Sequence, residues 1–228
     1  MKLVFQQPTV FLIGDSHSAS LSLGLRPILE NANTNILQVS TGWCEPTSND
    51  DKNKRCEEIN DLVLEKIGSL KPRTVIVNSH WFGASKPPYY IGKGDFILHL
   101  IDYLQKLKKL GVKQIFIVGQ IPTWNKSLPD TLAQEFVKKD LPIPDRTFIG
   151  VQSESLIMDE VMRFANYPKG ITYLSVKDIL CDKFGCLTSI GPNLEKDLVV
   201  WDYGHLTQSA SKFVVKKLFV DSKLIQSF

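Results

Sequence analysis

Hydrophobic positions follow two rhythms along this chain. Apolar runs at 10–13, 73–78, 113–119 and 171–174, with a shorter one at 35–40, show little or no polar alternation. Such runs read as strands buried on both faces, the parallel-sheet case. Between them apolar residues recur at helical spacing. Ile59, Leu62, Val63, Ile67 and Leu70 line one side of 57–70; Phe96, Ile97, Leu100, Ile101, Leu104, Leu107 and Leu110 line one side of 95–110, with Gly111 as its C-cap. The pattern predicts further helices over 19–31, where Pro27 marks a kink or an early end, and over 131–139, 151–165 and 207–220. Five strands alternating with helices predict one α/β domain over 1–228, with a five-stranded parallel sheet covered on both sides. Two stretches interrupt the rhythm. Residues 86–94 are rich in Pro and Gly, and 120–150 carries Pro122, Pro129, Pro142 and Pro144, the length and composition of a lid or partner surface.

The first strand stops abruptly at Gly14-Asp15-Ser16-His17, and helical periodicity follows. A side chain there stands at the carboxyl end of a strand and the amino end of a helix, where α/β sheets keep their sites and free backbone N–H groups favour negative charge. Ser16 is therefore the candidate nucleophile, with a backbone oxyanion donor beside it; its plainer alternative is a helix N-cap. Acyl transfer by serine needs a base and a carboxylate that orients the base. Asp202-Tyr203-Gly204-His205 carries both in one short loop ahead of the last helix. His17 is expected to point away from the nucleophile, Asp15 to stabilise the turn, and His99 to be packing or surface.

Composition removes several function classes. The net charge of +3, without an arginine cluster, argues against a nucleic-acid partner. Lys106, Lys108 and Lys109 read as the solvated side of a helix. No apolar run approaches the roughly 18 residues of a membrane span, and Lys2 to Phe5 is cut off by Gln6-Gln7-Pro8, unlike a signal peptide. Cys44 and Cys56 flank a polar loop, and Cys181 and Cys186 flank a turn; two loop-stapling disulfides are the reading, with buried free thiols as the alternative. Disulfides without an export signal predict a domain excised from a longer exported or membrane protein. Asp15-Ser16-His17 also imitates the Asp-x-His ligands of metallophosphoesterases, but with four histidines and no further ligand block no metal is expected.

With these residues in place, the chain resembles the SGNH (GDSL-like) hydrolase superfamily, and more narrowly the SGNH domain fused to acyltransferase-3 membrane proteins that O-acetylate bacterial surface glycans. The resemblance rests on Gly14-Asp15-Ser16-His17, on Gly42-Trp43-Cys44-Glu45-Pro46 with Cys56, on Val77-Asn78-Ser79-His80-Trp81, on the Cys181/Cys186 pair, and on Asp202-Tyr203-Gly204-His205-Leu206-Thr207. It implies a flavodoxin-like three-layer α/β/α sandwich. It implies a Ser16/Asp202/His205 triad and an oxyanion hole of Ser16, Gly42 and Asn78. The superfamily's Gly-x-Asn-Asp block is absent, so His80 or Trp81 stands as an alternative at the third position. The implied activity passes an acetyl group, without a cofactor, from a membrane acyltransferase domain through an acyl-serine to a sugar hydroxyl of a surface polysaccharide. That places the domain at the periplasmic face, tethered to the inner membrane. A carbohydrate acetyl esterase and a non-catalytic glycan-binding module are the alternatives.

Overall fold

The computed structural model describes residues 7–47, 54–84 and 95–228. Strand β1 (Thr9–Gly14) leads into helix α1 (Ser16–Asn31), then β2 (Asn35–Ser40), α2 (Lys54–Leu70), β3 (Thr74–Asn78) and a short α3 (Trp81–Ala84). Helix α4 (Asp95–Lys109), β4 (Gln114–Val118) and α5 (Leu128–Glu135) follow, then β5 (Arg146–Thr147), α6 (Ser153–Arg163) and β6 (Ile171–Leu174). The chain closes with α7 (Lys177–Leu180), β7 (Cys181–Asp182), β8 (Gly185–Leu187), α8 (Leu194–Asp197) and α9 (Gln208–Val215), which continues into π-helical turns at Lys216–Asp221. The predicted loop 86–94 lies outside the described residues.

The main sheet has the order β2-β1-β3-β4-β6, and every neighbouring pair is parallel. Alternation along each strand feeds two separate cores. Val10 and Leu12 of β1, Ile76 of β3, and Phe116 and Val118 of β4 face α1, α5 and α9. Phe11, Ile13, Val75, Val77, Ile115 and Ile117 face α2, α4 and α6. Both faces being covered is why these strands read as continuous apolar runs. The result is the three-layer α/β/α sandwich. Its order reverses between β1 and β3, and the carboxyl ends of those two strands form the crevice where such sheets bind ligands.

Helix α1 crosses its neighbour α9 at Gly24. A Cβ there would lie 2.4 Å from the Ser211 carbonyl oxygen, and the Gly24 amide donates to Ser211 Oγ at 2.9 Å. Gly24→Ala should therefore lower stability by about 1–3 kcal/mol through overpacking against backbone, read as a fall in the urea midpoint at unchanged slope.

Helix α1 meets the expectation of a helix to Asn31, with no early end at Pro27, and two other stretches differ from theirs. Helix α1 runs through Pro27 to Asn31, because its buried stripe Leu21, Leu25, Leu29 continues past that point while Pro27 faces solvent. There the carbonyl that proline deprives of a partner can bond water. The stretch 120–150 is not a lid at its start: Gln120, Ile121, Thr123 and Trp124 are fully or almost fully buried and form an inner wall. A second sheet, β5-β8-β7, is antiparallel and built from strands too short to carry a period.

Both cysteine pairs are joined, Cys44 to Cys56 and Cys181 to Cys186, and among the described residues no cysteine is free. Cys181 and Cys186 are also directly paired across β7 and β8. Among the described residues no helix is long and apolar enough to cross a membrane.

Candidate active site

The site begins with a backbone conformation only glycine adopts easily. Gly14 closes β1 at φ +147°, and a Cβ on it would fall 1.7 Å from the Asn78 carbonyl oxygen. β1 and β3 therefore converge at their carboxyl ends. Asp15 is the N-cap of α1, and its side chain does double work. One carboxylate oxygen accepts from the His17 amide and the other from the His80 amide, each at 2.8 Å, while the Asp15 amide donates to Ser79 Oγ. The turn after β1 and the turn after β3 are thus held by one carboxylate. Burial pushes that carboxyl above its ordinary value, against the pull of these two amides and of charge on His205.

Ser16 is the first residue of α1, so its amide lies where a helix has no internal acceptor. Its Oγ lies 2.7 Å from His205 Nε2, and His205 Nδ1 lies 2.6 Å from Asp202 Oδ2. The three predicted residues come together across 189 positions of sequence. The other oxygen, Asp202 Oδ1, accepts from the amides of Gly204 (2.9 Å) and His205 (2.8 Å), which curls the loop around its own carboxylate. Burial of Asp202 opposes ionisation, but the His205 side chain, these two amides and charge on His205 outweigh it and hold the carboxyl below its ordinary value.

Tertiary contacts seat this loop from both sides. The Trp124 amide donates to the Tyr203 carbonyl at 2.8 Å, and the Leu128 amide to the Asp202 carbonyl at 3.0 Å. Beyond the loop, Thr207 caps α9 by accepting from the Ala210 amide, and its hydroxyl donates to the Leu198 carbonyl. Trp201 is 60% exposed and stacks on the His205 ring at 5.4 Å. The inner wall at 120–128, read from sequence as a possible lid, is therefore a support of the Asp202–His205 loop.

The remaining candidates part company. Gly42 follows β2 on an exposed turn, with nothing within 4 Å of where its Cβ would be. The turn is tied beside the site, since the Thr41 amide donates to the Gly14 carbonyl at 3.0 Å. Asn78 is fully buried, and its Nδ2 donates to the Val118 carbonyl on β4. Trp81 does not line the site. It is 0% exposed, donates through Nε1 to the same Val118 carbonyl and packs on Phe96 in the α4-side core. Its large apolar ring gains more from that core than from an open crevice. His80 is buried too, yet it does belong to the site's floor.

His17 departs most from expectation. It does not point away: it is fully buried, stacks on His80 with ring centres 4.7 Å apart and planes within 4°, and lies 4.6 Å from the His205 ring. The signal for this was present, because the buried stripe Leu21, Leu25, Leu29, extended back by one helical step, arrives at His17. Among the described residues no three His, Cys, Asp or Glu side chains are arranged to hold a metal ion.

Comparison with known proteins bears on the family and the fold. A family model described as the SGNH domain (fused to AT3 domains) matches residues 2–218. Among solved structures the chain is similar to the periplasmic domain of the lipopolysaccharide acetyltransferase of Salmonella ser. Paratyphi A, at 25% identity, covering 96% of this chain and 84% of that one, with a TM-score of 0.80. It also shares the fold of Est24, a carbohydrate acetylesterase from Sinorhizobium meliloti, at 12% identity, covering 97% of this chain and 100% of that one, with a TM-score of 0.57. No curated protein matches the chain in sequence.

Proposed function

Because this chain belongs to the family of SGNH domains fused to AT3 domains, we propose that it is an O-acetyltransferase domain that carries an acetyl group on Ser16 to a hydroxyl of a bacterial surface glycan. The observation that supports this most directly is the continuous hydrogen-bonded line from Ser16 Oγ through His205 to Asp202. The likeness to an acetyltransferase domain over nearly the whole chain supports transfer rather than hydrolysis.

In this reading Ser16 Oγ attacks the carbonyl carbon of the acetyl donor and gives its proton to His205 Nε2. The tetrahedral oxyanion is held by the amide of Ser16 at the start of α1, by the amide of Gly42 and by Asn78 Nδ2, which gives one of its two hydrogens to Val118 and keeps the other for this place. Collapse expels the donor's oxygen, which takes the proton from His205, and leaves acetyl-Ser16. An acceptor hydroxyl then gives its proton to His205 and attacks the acyl carbonyl, releasing the acetylated sugar and restoring Ser16. Asp202 keeps Nδ1 protonated throughout, so that Nε2 is the basic nitrogen. The acetyl donor is presented by the AT3 membrane domain. The chain works as one catalytic unit on the extracytoplasmic side of the inner membrane, where two disulfides are stable.

The test is the fate of the acetyl group. Purified protein given a chromogenic acetyl ester and surface-glycan oligosaccharides should yield acetylated oligosaccharide, seen by mass spectrometry as an added acetyl mass. Release of free acetate alone, undiminished by any acceptor, would make it an esterase. No turnover by wild type would leave a binding module.

A further inference from the structure

We propose that His17, the residue after the nucleophile, is a positioning residue: its imidazole is the floor that seats the ring of His205 against Ser16. This rests on the reading of Ser16 and His205 as nucleophile and base. Three observations carry it. The first is the ring contact itself: His80 and His17 stack at 4.7 Å with planes within 4°, and the His205 ring lies against His17 at 4.6 Å, tilted by 44°. The second is that the stack is deliberately held, since the two oxygens of Asp15 fix the backbone amides of His17 and His80 at once. The third is that the loop makes room for it. A Cβ on Gly204 would lie 3.0 Å from His17 Cε1 and 2.8 Å from Thr123 Cγ2, so a side chain there would push the Asp202–His205 loop or the His17 ring aside.

A purely structural residue here would more economically be apolar. His17 is 0% exposed, and neither Nδ1 nor Nε2 has a hydrogen-bond partner. Unpaired buried polar atoms cost about 1–3 kcal/mol each, a cost that an aliphatic residue such as leucine would avoid. What the imidazole supplies is an aromatic ring in tilted contact with one that becomes an imidazolium in each half-reaction, a contact that favours the cation when the supporting ring is itself uncharged. The groups facing His17 are His80, His205, Tyr203 and Asp202, with Asp15 at its own amide. Burial, followed by charge on His80 and His205, holds His17 well below its ordinary value, against the opposite pull of Asp202. It stays neutral while His205 takes up and gives back its proton.

The test uses His17→Ala and His17→Phe, with folding checked by circular dichroism and melting. On a small acetyl ester, His17→Ala should lose about 10- to 100-fold in kcat with KM little changed, as expected when a base is mispositioned by a fraction of an ångström to an ångström. His17→Phe, which restores an aromatic face without nitrogens, should recover most of that loss. The downfield proton resonance of His205 Nδ1–H in its 2.6 Å bond to Asp202 should be sharp in wild type and His17→Phe and broadened or absent in His17→Ala. A kcat in His17→Ala within about threefold of wild type, equal losses in both variants, an unchanged resonance, or failure of both variants to fold would each overturn the proposal. Activity in Ser16→Ala would instead overturn the reading beneath it, so the two failures are distinguishable.

Discussion

Replacing Ser16 by alanine is expected to lower turnover of an acetyl ester by at least about 10⁴-fold while the protein remains folded, because removing one member of a Ser-His-Asp unit disables the unit. The structure makes this a clean substitution. The N-cap of α1 is Asp15, not Ser16, so the helix keeps its cap and loses only one hydroxyl from a half-buried position. Stability should stay within about 0.5 kcal/mol of wild type. His205→Ala should be about as damaging, and the double variant no worse than either, since Oγ and Nε2 share one hydrogen bond and act together. Steady-state rates for the three variants decide it; additive losses would mean that the two side chains act separately.

Asp202→Asn should cost about 10³- to 10⁴-fold in kcat without disturbing the loop. The amide's oxygen can still accept from the Gly204 and His205 amides, which keeps the backbone curled. Its NH₂, however, meets Nδ1 where a carboxylate oxygen stood at 2.6 Å. The imidazole must then turn Nδ1 into the acceptor and place its proton on Nε2, facing Ser16, where it cannot take up another. The variant should also report on pH. The Asp202 carboxyl is held below its ordinary value, so its contribution to stability is present above the unfolded-state value of about 3.9 and is lost as pH falls through the lower folded-state value. The gap in melting temperature between wild type and Asp202→Asn should narrow on acidification below about pH 4. A gap that widens there, or a kcat within about tenfold of wild type, would show that Asp202 does not hold the base.

What the amino-acid order determined by itself is everything local. Val10 to Ile13 could only be a doubly buried strand, since a run without polar positions has no face to give to water. Gly14-Asp15-Ser16 had to end that strand at a turn, and Asp202-Tyr203-Gly204-His205 is short enough for its carboxylate to reach its own imidazole. Both sheet faces were therefore legible, and so were Ser16, Asp202 and His205 as side chains that meet. Tertiary structure alone decided what meets across distance. That Asn78 gives a hydrogen to Val118 depends on β4, 40 positions away, and Trp81 is drawn into the core by the same strand. The wall at 120–128 reads as loop because its hydrogen bonds go to Tyr203 and Asp202 rather than to a periodic ladder. His17 is the sharpest case: the buried stripe of α1 marks it for burial, but nothing local says which rings it meets. Only the close approach of β1 and β3 at Gly14 lets one Asp15 carboxylate hold two turns and bring the rings of His80, His17 and His205 into contact.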